Sequence, residues 1–198
     1  MTAIDTPTPL TRTVDGTEVP VAGTYELDLS HSSVAFSVRH LMVSKTKGRF
    51  NDFRGTVTIA DDPLASSVEV DIVAASVDTR DETRDGHLRS DDFFGADDHP
   101  TITYRSTKVT PAGKGRWAVD GDLTVRGTTV SVPLEVTFEG GARDPWGGAR
   151  IGFTAHTELD REAFGLTWNQ ALETGGVLVG KQVRIDIEAE GVRQSSPA

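Results

Sequence analysis

The sequence predicts an all-β protein, either an antiparallel sandwich or a closed barrel. From Tyr25 onward, apolar and polar residues alternate with a period of two, which is typical of strands with one buried and one wetted face. Turn-forming clusters such as ADDPLAS and TPAGKGR separate these alternating segments. A helical period of useful length occurs only near residues 80–95, with a weaker candidate at 161–166. The pattern therefore indicates eight or nine strands.

The strand segments follow one another along most of the chain. Residues 1–22 are rich in Thr and Pro and have no clear period, which predicts a loose arm on the surface. VRGTTV predicts a tight hairpin around Gly127. The apolar faces are, in order, Val34, Phe36, Val38 and His40; Val57 and Ile59; Val68, Val70 and Ile72; Ile102 and Tyr104; Trp117 and Val119; Leu123 and Val125; Val130, Val132, Leu134, Val136 and Phe138; Ile151 and Phe153; and Val183, Ile185, Ile187 and Ala189.

Period alone does not distinguish a sandwich from a barrel. A closed barrel removes edge strands, and with about eight strands its interior can hold one small ligand. The apolar faces mix small with large residues, which favours a lumen that is not filled by its own side chains. Phe50 and Phe53 in GRFNDFRG are interpreted either as ordinary core or as pocket lining, in a sheet that bends near Gly48 and Gly55.

The charged stretch RDETRDGHLRSDDFF at 80–94 predicts the helical segment. Thr79 and Glu82 match a capping box, so the helix is expected to begin at Arg80. Asp85 and Arg89 have the spacing of a favourable helical ion pair.

The end of this stretch predicts a second short turn. Gly86 weakens the helix, so only two or three turns are expected. Ser90 can cap a following turn that carries Phe93 and Phe94. We expect this aromatic pair to point at the sheet.

Composition excludes several classes of protein. Among 198 residues, 36% are hydrophobic, which suffices for one core and one domain. Twenty basic against thirty acidic residues give a net charge of −10, which disfavours nucleic acids and anionic membranes as partners. The absence of cysteine excludes disulfides and thiolate sites. The N-terminal residues do not resemble a secretory signal and no apolar run is long enough for a membrane helix, so we expect a cytoplasmic protein without stable membrane insertion.

The histidines offer candidate chemistry. His31 and His40 would need His87 or Asp28 to complete a metal site, yet nine residues of extended strand separate them by roughly 30 Å. The spacing also lacks any zinc-site pattern, so neither a metal nor a cofactor is expected.

A second candidate lies in the segment LDLSHSS. Asp28, Ser30 and His31 contain the residue types of a hydrolytic triad, but no strained nucleophile turn surrounds them. Asp28 and Ser30 are better interpreted as turn residues that bind nearby backbone N–H groups.

Several ordered blocks resemble one family. YELDLSHSSVAFSVRHLMVSKTKGRFNDFRGTVTI, SVDTRDETRDGHLRSDDFFGADDHPTITYRSTKV, VDGDLTVRGTTVSVPLEV, GFTAHTELDREAFGL and KQVRIDIEAE look like successive segments of the YceI-like family of lipocalin-like, polyisoprenoid-binding proteins. The resemblance spans about residues 23–191, between an arm at 1–22 and a tail at 192–198. It implies an extended eight-stranded antiparallel barrel, with one short helix near residues 80–94, that holds a long isoprenoid such as a quinone or a polyprenyl phosphate. It implies no catalytic residues and makes a homodimer plausible.

The resemblance and the strand pattern together give a set of expected ligand-binding residues. Apolar residues of the lumen are expected to hold the chain of the ligand, and Arg39, His40 or Arg84 to bind its polar head at the mouth. Since alternation places Arg39 and His40 on opposite faces, at most one of them is expected to look inward. The full set is Phe36, Val38, Arg39, His40, Phe50, Phe53, Val70, Ile72, Arg84, Phe93, Phe94, Ile102, Tyr104 and Phe153.

Three functions are compatible with these observations. The first is a non-enzymatic carrier or sequestering protein for an isoprenoid-like lipid. The second is an enzyme for a hydrophobic substrate with His31, His40 or His87 as acid or base, which requires a histidine bonded to another polar side chain inside a cavity. The third is a stress-related interaction protein whose pocket is incidental.

Overall fold

Thirteen strands and one α-helix make up most of the computed structural model, which describes residues 9–41, 43–171 and 176–194. The strands are β1 (Thr11–Val14), β2 (Thr17–Pro20), β3 (Gly23–Leu27), β4 (Ser33–His40), β5 (Ser44–Phe50), β6 (Phe53–Ile59), β7 (Ser67–Val73), β8 (Val77–Asp78), β9 (Thr101–Pro111), β10 (Arg116–Val125), β11 (Thr128–Arg143), β12 (Ala149–Asp160) and β13 (Val179–Arg193). The helix is α1 (Glu82–Arg89), and short 3-10 turns occur at Pro63–Ala65, Ala74–Ser76 and Arg161–Phe164.

Eight of the strands close into an antiparallel barrel. Around the ring they run β3, β6, β7, β9, β10, β11, β12 and β13, and β13 pairs again with β3. The pairing of β12 with β13 over eleven residue pairs completes the closure. The prediction of an all-β, eight-stranded antiparallel barrel with a short helix is therefore confirmed.

Strand β13 also connects the barrel to a side extension. Its end at Gly191–Arg193 pairs with β3, whereas Val179–Glu188 pair with β4. Strands β4, β5 and β8 continue outward from this edge. The turn at residues 28–32, which separates β3 from β4, marks the point at which β13 changes partner.

The core follows the inward faces of the strands. One cluster contains Tyr25, Ile59 and Ile151 near the end of β6, with Phe138 and Phe153 packed against it. A second, larger cluster joins the strands to α1 and to the segment after β12; its buried members are Val34, Phe50, Phe53, Ile72, Ala74, Val77, Ala96, Ile102, Val125, Val132, Phe164 and Leu166. For the strand segments that it identified, the alternating pattern thus correctly indicated the buried face. The prediction of eight or nine strands missed the short strands β1, β2 and β8.

The two-residue hairpin between β10 and β11 confirms one turn prediction. Arg126 and Gly127 both have positive φ, 49° and 73°, as a type I′ turn requires. The weaker helical candidate at 161–166 forms only the 3-10 turn Arg161–Phe164.

The start of the helix differs from the prediction. It begins at Glu82, and Asp81 is the cap, since its carboxylate accepts the N–H of Arg84 at 3.0 Å. Arg80 has a φ of 62° and so cannot be a helical residue. Thr79 is buried and donates its N–H and its hydroxyl to Asp85, so the predicted capping box is wrong.

The predicted ion pair between Asp85 and Arg89 is also wrong. Asp85 is engaged by Thr79, and Arg89 donates instead to the carbonyls of Ala75 and Val77. Both bonds tie α1 to the segment that precedes it, and they replace the helical pair. The second turn is confirmed, because the hydroxyl of Ser90 accepts the N–H of Asp92 at 3.4 Å.

The N-terminal arm is not loose at residues 11–20. There β1 and β2 form a hairpin, and Val19 is only 2% exposed. Arg12 donates to the carbonyl of Ala60 at the end of β6, and Val21 donates to that of Leu10. Short strands separated by Asp-Gly gave too little alternation to be recognised in the sequence.

The predicted segment boundaries are not decided by these observations. Residues 1–8 of the predicted arm and 195–198 of the predicted tail lie outside the described residues. Strand β13 continues to Arg193, two residues past the predicted end of the barrel at 191. No helix in the described ranges is long and apolar enough to span a membrane.

Two glycines test the fold in opposite directions. A Cβ on Gly121 would meet the ring of Tyr104 and lie 2.8 Å from the carbonyl oxygen of Arg105, whereas a Cβ on Gly86 meets no atom within 4 Å. We expect Gly121→Ala to lower the free energy of unfolding by about 1–3 kcal/mol through overpacking. Gly86→Ala should raise it by about 1 kcal/mol through helix propensity. Urea denaturation measures both, and equal stability of Gly121→Ala and wild type would contradict the close packing of β9 on β10.

Candidate ligand cavity

An apolar cavity of about 690 Å³ occupies the barrel. Val19 and Pro20 of β2 line one end of it, and His87 and Leu88 of α1 line the other, so the cavity extends along the barrel. All fourteen residues predicted to bind a ligand border it: Phe36, Val38, Arg39, His40, Phe50, Phe53, Val70, Ile72, Arg84, Phe93, Phe94, Ile102, Tyr104 and Phe153. Their role in binding stays a prediction.

Aromatic rings form the wall beneath α1. The ring of Phe50 lies 5.7 Å from that of Phe36 and 5.6 Å from that of Phe94. Phe93 is buried on the other side of the same turn. Both phenylalanines of the stretch SDDFF therefore reach the cavity, because the turn after Ser90 directs them inward. Phe50 and Phe53 are at once core and pocket lining, so the two interpretations of them do not conflict.

Tyr104 contributes a ring to the wall without presenting its hydroxyl to the lumen. The hydroxyl donates to the carbonyls of Val119, at 2.9 Å, and Val132, at 3.2 Å. Burial raises the pKa of this phenol, so it remains a neutral donor. Its polar atom is satisfied by backbone, and the surface left for a ligand is apolar.

The opening of the cavity lies beside α1. Exposed residues that border the cavity there are Arg39, Asp81, Thr83 and Arg84. Arg84 is held in place, since it donates from Nε to the hydroxyl of Thr79 and from Nη2 to its carbonyl. Both Arg39 and His40 border the cavity, although alternation places Arg39 on the face opposite to that of Val38, so the expectation that at most one of them looks inward stays a prediction. They stand at the end of β4, where the cavity opens and both faces of the strand reach it.

Trp168 borders the cavity beside α1. Its ring packs edge-on against His87 with centroids 4.7 Å apart, and it lies 5.4 Å from Phe93. The neighbouring Asn169 bonds both the N–H and the carbonyl of Val179, which is paired with His40. A continuous series of contacts thus connects α1 to the end of β4 around the opening.

His87 forms a polar pair at the border of the cavity. Its Nε2 lies 2.8 Å from a carboxylate oxygen of Asp92, and its ring borders the cavity. His31 lies outside the cavity lining, and His40 forms no side-chain hydrogen bond to a described residue. Of the three candidate histidines, His87 alone meets the stated requirement for acid–base work.

Among the wall residues that sequence reasoning missed are Trp168 and Arg161. Arg161 is only 3% exposed and donates to the carbonyls of Gly180 and Leu166, while its Nη2 has no partner among the described residues. Burial lowers the pKa of its guanidinium. Both residues lie in the irregular segment after β12, where no period distinguishes inward from outward positions.

The Asp28–Ser30–His31 group lies away from the cavity and forms the predicted turn. Asp28 accepts the N–H of Ser30 at 2.9 Å and lies 3.0 Å from Nδ1 of His31. A catalytic triad needs the carboxylate on one ring nitrogen of the histidine and the hydroxyl on the other. Here Asp28 and Ser30 both lie beside Nδ1 of His31, so the three residues are not arranged as a triad. The turn interpretation is the one the geometry supports.

Arg150 holds this turn against the barrel. Its Nη1 donates to Asp28 at 2.7 Å and also to Glu190, and its Nε donates to Asp144 at 3.0 Å. Asp28, His31 and Glu190 offer ligand atoms within 4.8 Å of one another. The guanidinium already supplies the positive charge between the two carboxylates. The grouping of His31 with His40 or His87, which the spacing already disfavoured, does not occur among the described residues.

A closed eight-stranded antiparallel barrel around an elongated apolar cavity defines a lipocalin-like protein with an internal binding space. The model of the YceI-like domain matches residues 25–191. The chain belongs to this YceI-like family.

Relatives cover nearly the same extent of chain. A UPF0312 protein of Staphylococcus aureus strain N315 is 39% identical over 168 residues, which are 84% of this chain and 95% of the relative. A UPF0312 protein of Staphylococcus epidermidis is 38% identical over the same length and the same shares of both chains.

Solved structures share the fold. BcnA of Burkholderia cenocepacia has a TM-score of 0.73 at 24% identity, covering 83% of this chain and 98% of its own. A YceI protein of Campylobacter jejuni has a TM-score of 0.68 at 28% identity, and the match covers 79% of this chain and 90% of that one. A polyisoprenoid binding domain of Saccharophagus degradans has a TM-score of 0.65 at 15% identity, and the match covers 86% of this chain and 98% of that one.

The Arg150 cluster predicts a pH dependence of stability. Hydrogen bonds from Arg150 hold the pKa of Asp28 and of Asp144 below their usual range. A carboxyl with a lowered folded pKa stabilises the fold above its unfolded pKa of about 4 and loses that contribution as the pH falls further. Arg150→Gln should therefore lower the melting temperature at pH 7, and the difference from wild type should shrink below about pH 4.

Thermal melts from pH 7 to pH 2.5 provide the measurement, with Arg54→Gln as the control. Arg54 pairs with Asp71 on the exposed surface, so its loss should change stability by less than about 0.5 kcal/mol. A difference between Arg150→Gln and wild type that stays constant to the lowest pH would contradict the assignment.

Proposed function

We propose that this protein binds a long-chain isoprenoid lipid in its lumen, such as a quinone or a polyprenyl phosphate, and carries or sequesters it without chemical change. The observation that supports this most is the apolar cavity of about 690 Å³ that reaches from β2 to α1. Such a volume is within the range of about 300–1,000 Å³ of small-molecule sites. Its elongated form suits a chain ligand better than a compact one.

Burial of the chain supplies the binding free energy. Each Å² of apolar ligand surface removed from water contributes about 25 cal/mol. The rings of Phe36, Phe50 and Phe94 and the aliphatic side chains around them offer apolar surface along the whole path. A polar head cannot be solvated inside this wall, so the ligand must leave its head at the opening.

The opening supplies partners for such a head. Arg39, His40 and Arg84 border the cavity there, and Arg84 is fixed by its bonds to Thr79. Guanidinium and imidazole donors suit the oxygens of a phosphate or a quinone. The similarity to the polyisoprenoid binding domain of Saccharophagus degradans agrees with this ligand class through a shared fold.

Filling the lumen tests the proposal. Ala155 borders the cavity on β12, and Ala155→Trp would place an indole in the space of the ligand. Loss of roughly 60 Å² of ligand contact corresponds to at least about tenfold weaker binding of a fluorescent polyprenyl analogue. Ala142→Trp is the control, because Ala142 is exposed on β11 and does not border the cavity. Equal affinity of both variants and wild type would place the ligand outside the barrel.

One observation favours a second function, that of an enzyme acting on a hydrophobic substrate. His87 borders the cavity and lies 2.8 Å from the carboxylate of Asp92, an arrangement in which the carboxylate can orient an acid or base. The same bond also suits a structural role, because the ring packs between Phe93 and Trp168.

Incubation with a prenyl ester and with a prenyl pyrophosphate distinguishes the two functions. For a carrier, we expect both compounds to be recovered unchanged by chromatography after native mass spectrometry has shown them bound. Turnover that His87→Ala abolishes and His156→Ala preserves would establish the enzyme instead. His156 is the matched control because it pairs with Glu135 outside the cavity lining.

A further inference from the structure

The hairpin of β4 and β5 has a charge unlike that of the rest of the chain. Residues 29–51 contain no Asp or Glu and four cations, Arg39, Lys45, Lys47 and Arg49. The remaining chain has 20 − 4 = 16 basic and 30 acidic residues, a net charge of 16 − 30 = −14. The net charge of −10 therefore conceals a segment of +4 within an acidic protein.

The cations gather on the outer face near the tip of the hairpin. Arg39 lies directly opposite Lys45 in the strand pairing, and Lys47 is one position further along the same face of β5. Arg39, Lys45 and Lys47 are exposed and form no ion pair with a described residue. Arg49, furthest from the tip, lies 3.7 Å from Asp78. The unpaired charge is thus concentrated at the tip.

The tip itself exposes apolar side chains. Leu41 is 39% exposed and Val43 is 82% exposed. Leu41 has a φ of 52°, which lies in the left-handed region. Gly and Asn adopt this region readily, whereas Leu is strained there. A Leu held at such a backbone angle costs stability, so strain and exposure coincide at the tip.

This tip stands beside the opening of the cavity. The N–H of Leu41 donates to the carbonyl of Leu178 at 2.9 Å, and both Leu178 and His40 border the cavity. A surface that the tip touches would therefore lie next to the opening. The other side of the opening is net acidic, because residues 78–92, which contain α1 and its flanks, carry six Asp and Glu against three Arg.

We propose that the β4–β5 hairpin docks the barrel on an anionic lipid bilayer, with Leu41 and Val43 in the headgroup region and the opening beside the lipid. Each Lys or Arg near an anionic leaflet favours binding, and apolar side chains at the tip add burial at the interface. Screening limits each charge to about 10 Å, so the cations of the hairpin act locally despite the net negative charge. The acidic flank of α1 is repelled, which tilts the barrel onto its hairpin.

Docking of this kind goes beyond lipid binding in the lumen and does not depend on it. It is a surface contact without membrane insertion. Vesicle binding is therefore measured without any isoprenoid, so that an empty lumen and a failed docking surface give separate results.

Charge removal at the hairpin is the first test. Wild type should sediment with vesicles of phosphatidylcholine containing about one third phosphatidylglycerol and less with pure phosphatidylcholine. Lys45→Gln with Lys47→Gln should weaken binding to the mixed vesicles about thirtyfold. Lys108→Gln with Lys114→Gln is the control, because these substitutions remove the same charge. Both lysines are exposed and neither borders the cavity.

Removal of the apolar tip is the second test. Leu41→Asn with Val43→Ser should weaken vesicle binding at least about fivefold while leaving thermal stability equal or higher, because Asn tolerates the left-handed φ. Leu64→Ser with Val73→Ser removes similarly exposed apolar groups elsewhere and should leave binding unchanged.

Three results overturn the proposal. They are equal binding of wild type to both kinds of vesicle, equal losses in the hairpin and control variants, and hairpin variants that alter the oligomeric state without altering vesicle binding. The last would identify the hairpin as an interface between copies of this chain.

Discussion

The barrel depends on the way in which β13 divides its pairing. One edge of β13 pairs with β12 over eleven residue pairs, and the other is shared between β3 at one end and β4 at the other. Because two strands share this edge, a turn must separate them, and residues 28–32 form that turn between β3 and β4. The turn at Asp28 is therefore a structural joint, with Arg150 of β12 and Glu190 of β13 binding it to both strands that close the barrel. The segment with Asp28, Ser30 and His31 has the residue types of a catalytic triad, but its bonds hold the barrel closed.

That division gives the barrel two different ends. At the end where β3 pairs with β6, Val19 of the β1–β2 hairpin and the cluster of Tyr25, Ile59 and Ile151 are buried. At the other end, α1, Trp168 and the end of β4 border the cavity, and exposed lining residues mark its opening. An asymmetric lumen of this kind distinguishes the ends of a ligand, since an apolar tail can enter the closed end and a polar head is satisfied only at the open one.

The sequence predicted what is periodic and missed what is not. Alternation located the inward faces, and resemblance to a family supplied the strand number, so all fourteen expected site residues border the cavity. The helix start was misplaced because the left-handed φ of Arg80 and the buried bond of Thr79 to Asp85 depend on tertiary contacts. Trp168 and Arg161 were missed because irregular segments carry no period that indicates which way a side chain points.

The β4–β5 hairpin shows how one segment can serve two surfaces. Because side chains alternate in a strand, Val34, Phe36 and Val38 share the lumen face with the residues paired to them on β5. The positions between them, and the cations Lys45, Lys47 and Arg49 paired to those positions, lie on the outer face. The net charge of the chain averages over this arrangement and so argued against an anionic membrane. The distribution of charge favours the opposite conclusion for this face alone. A protein that is repelled by a membrane over most of its surface and attracted at the rim of its cavity would approach in one orientation, with its opening next to the lipid.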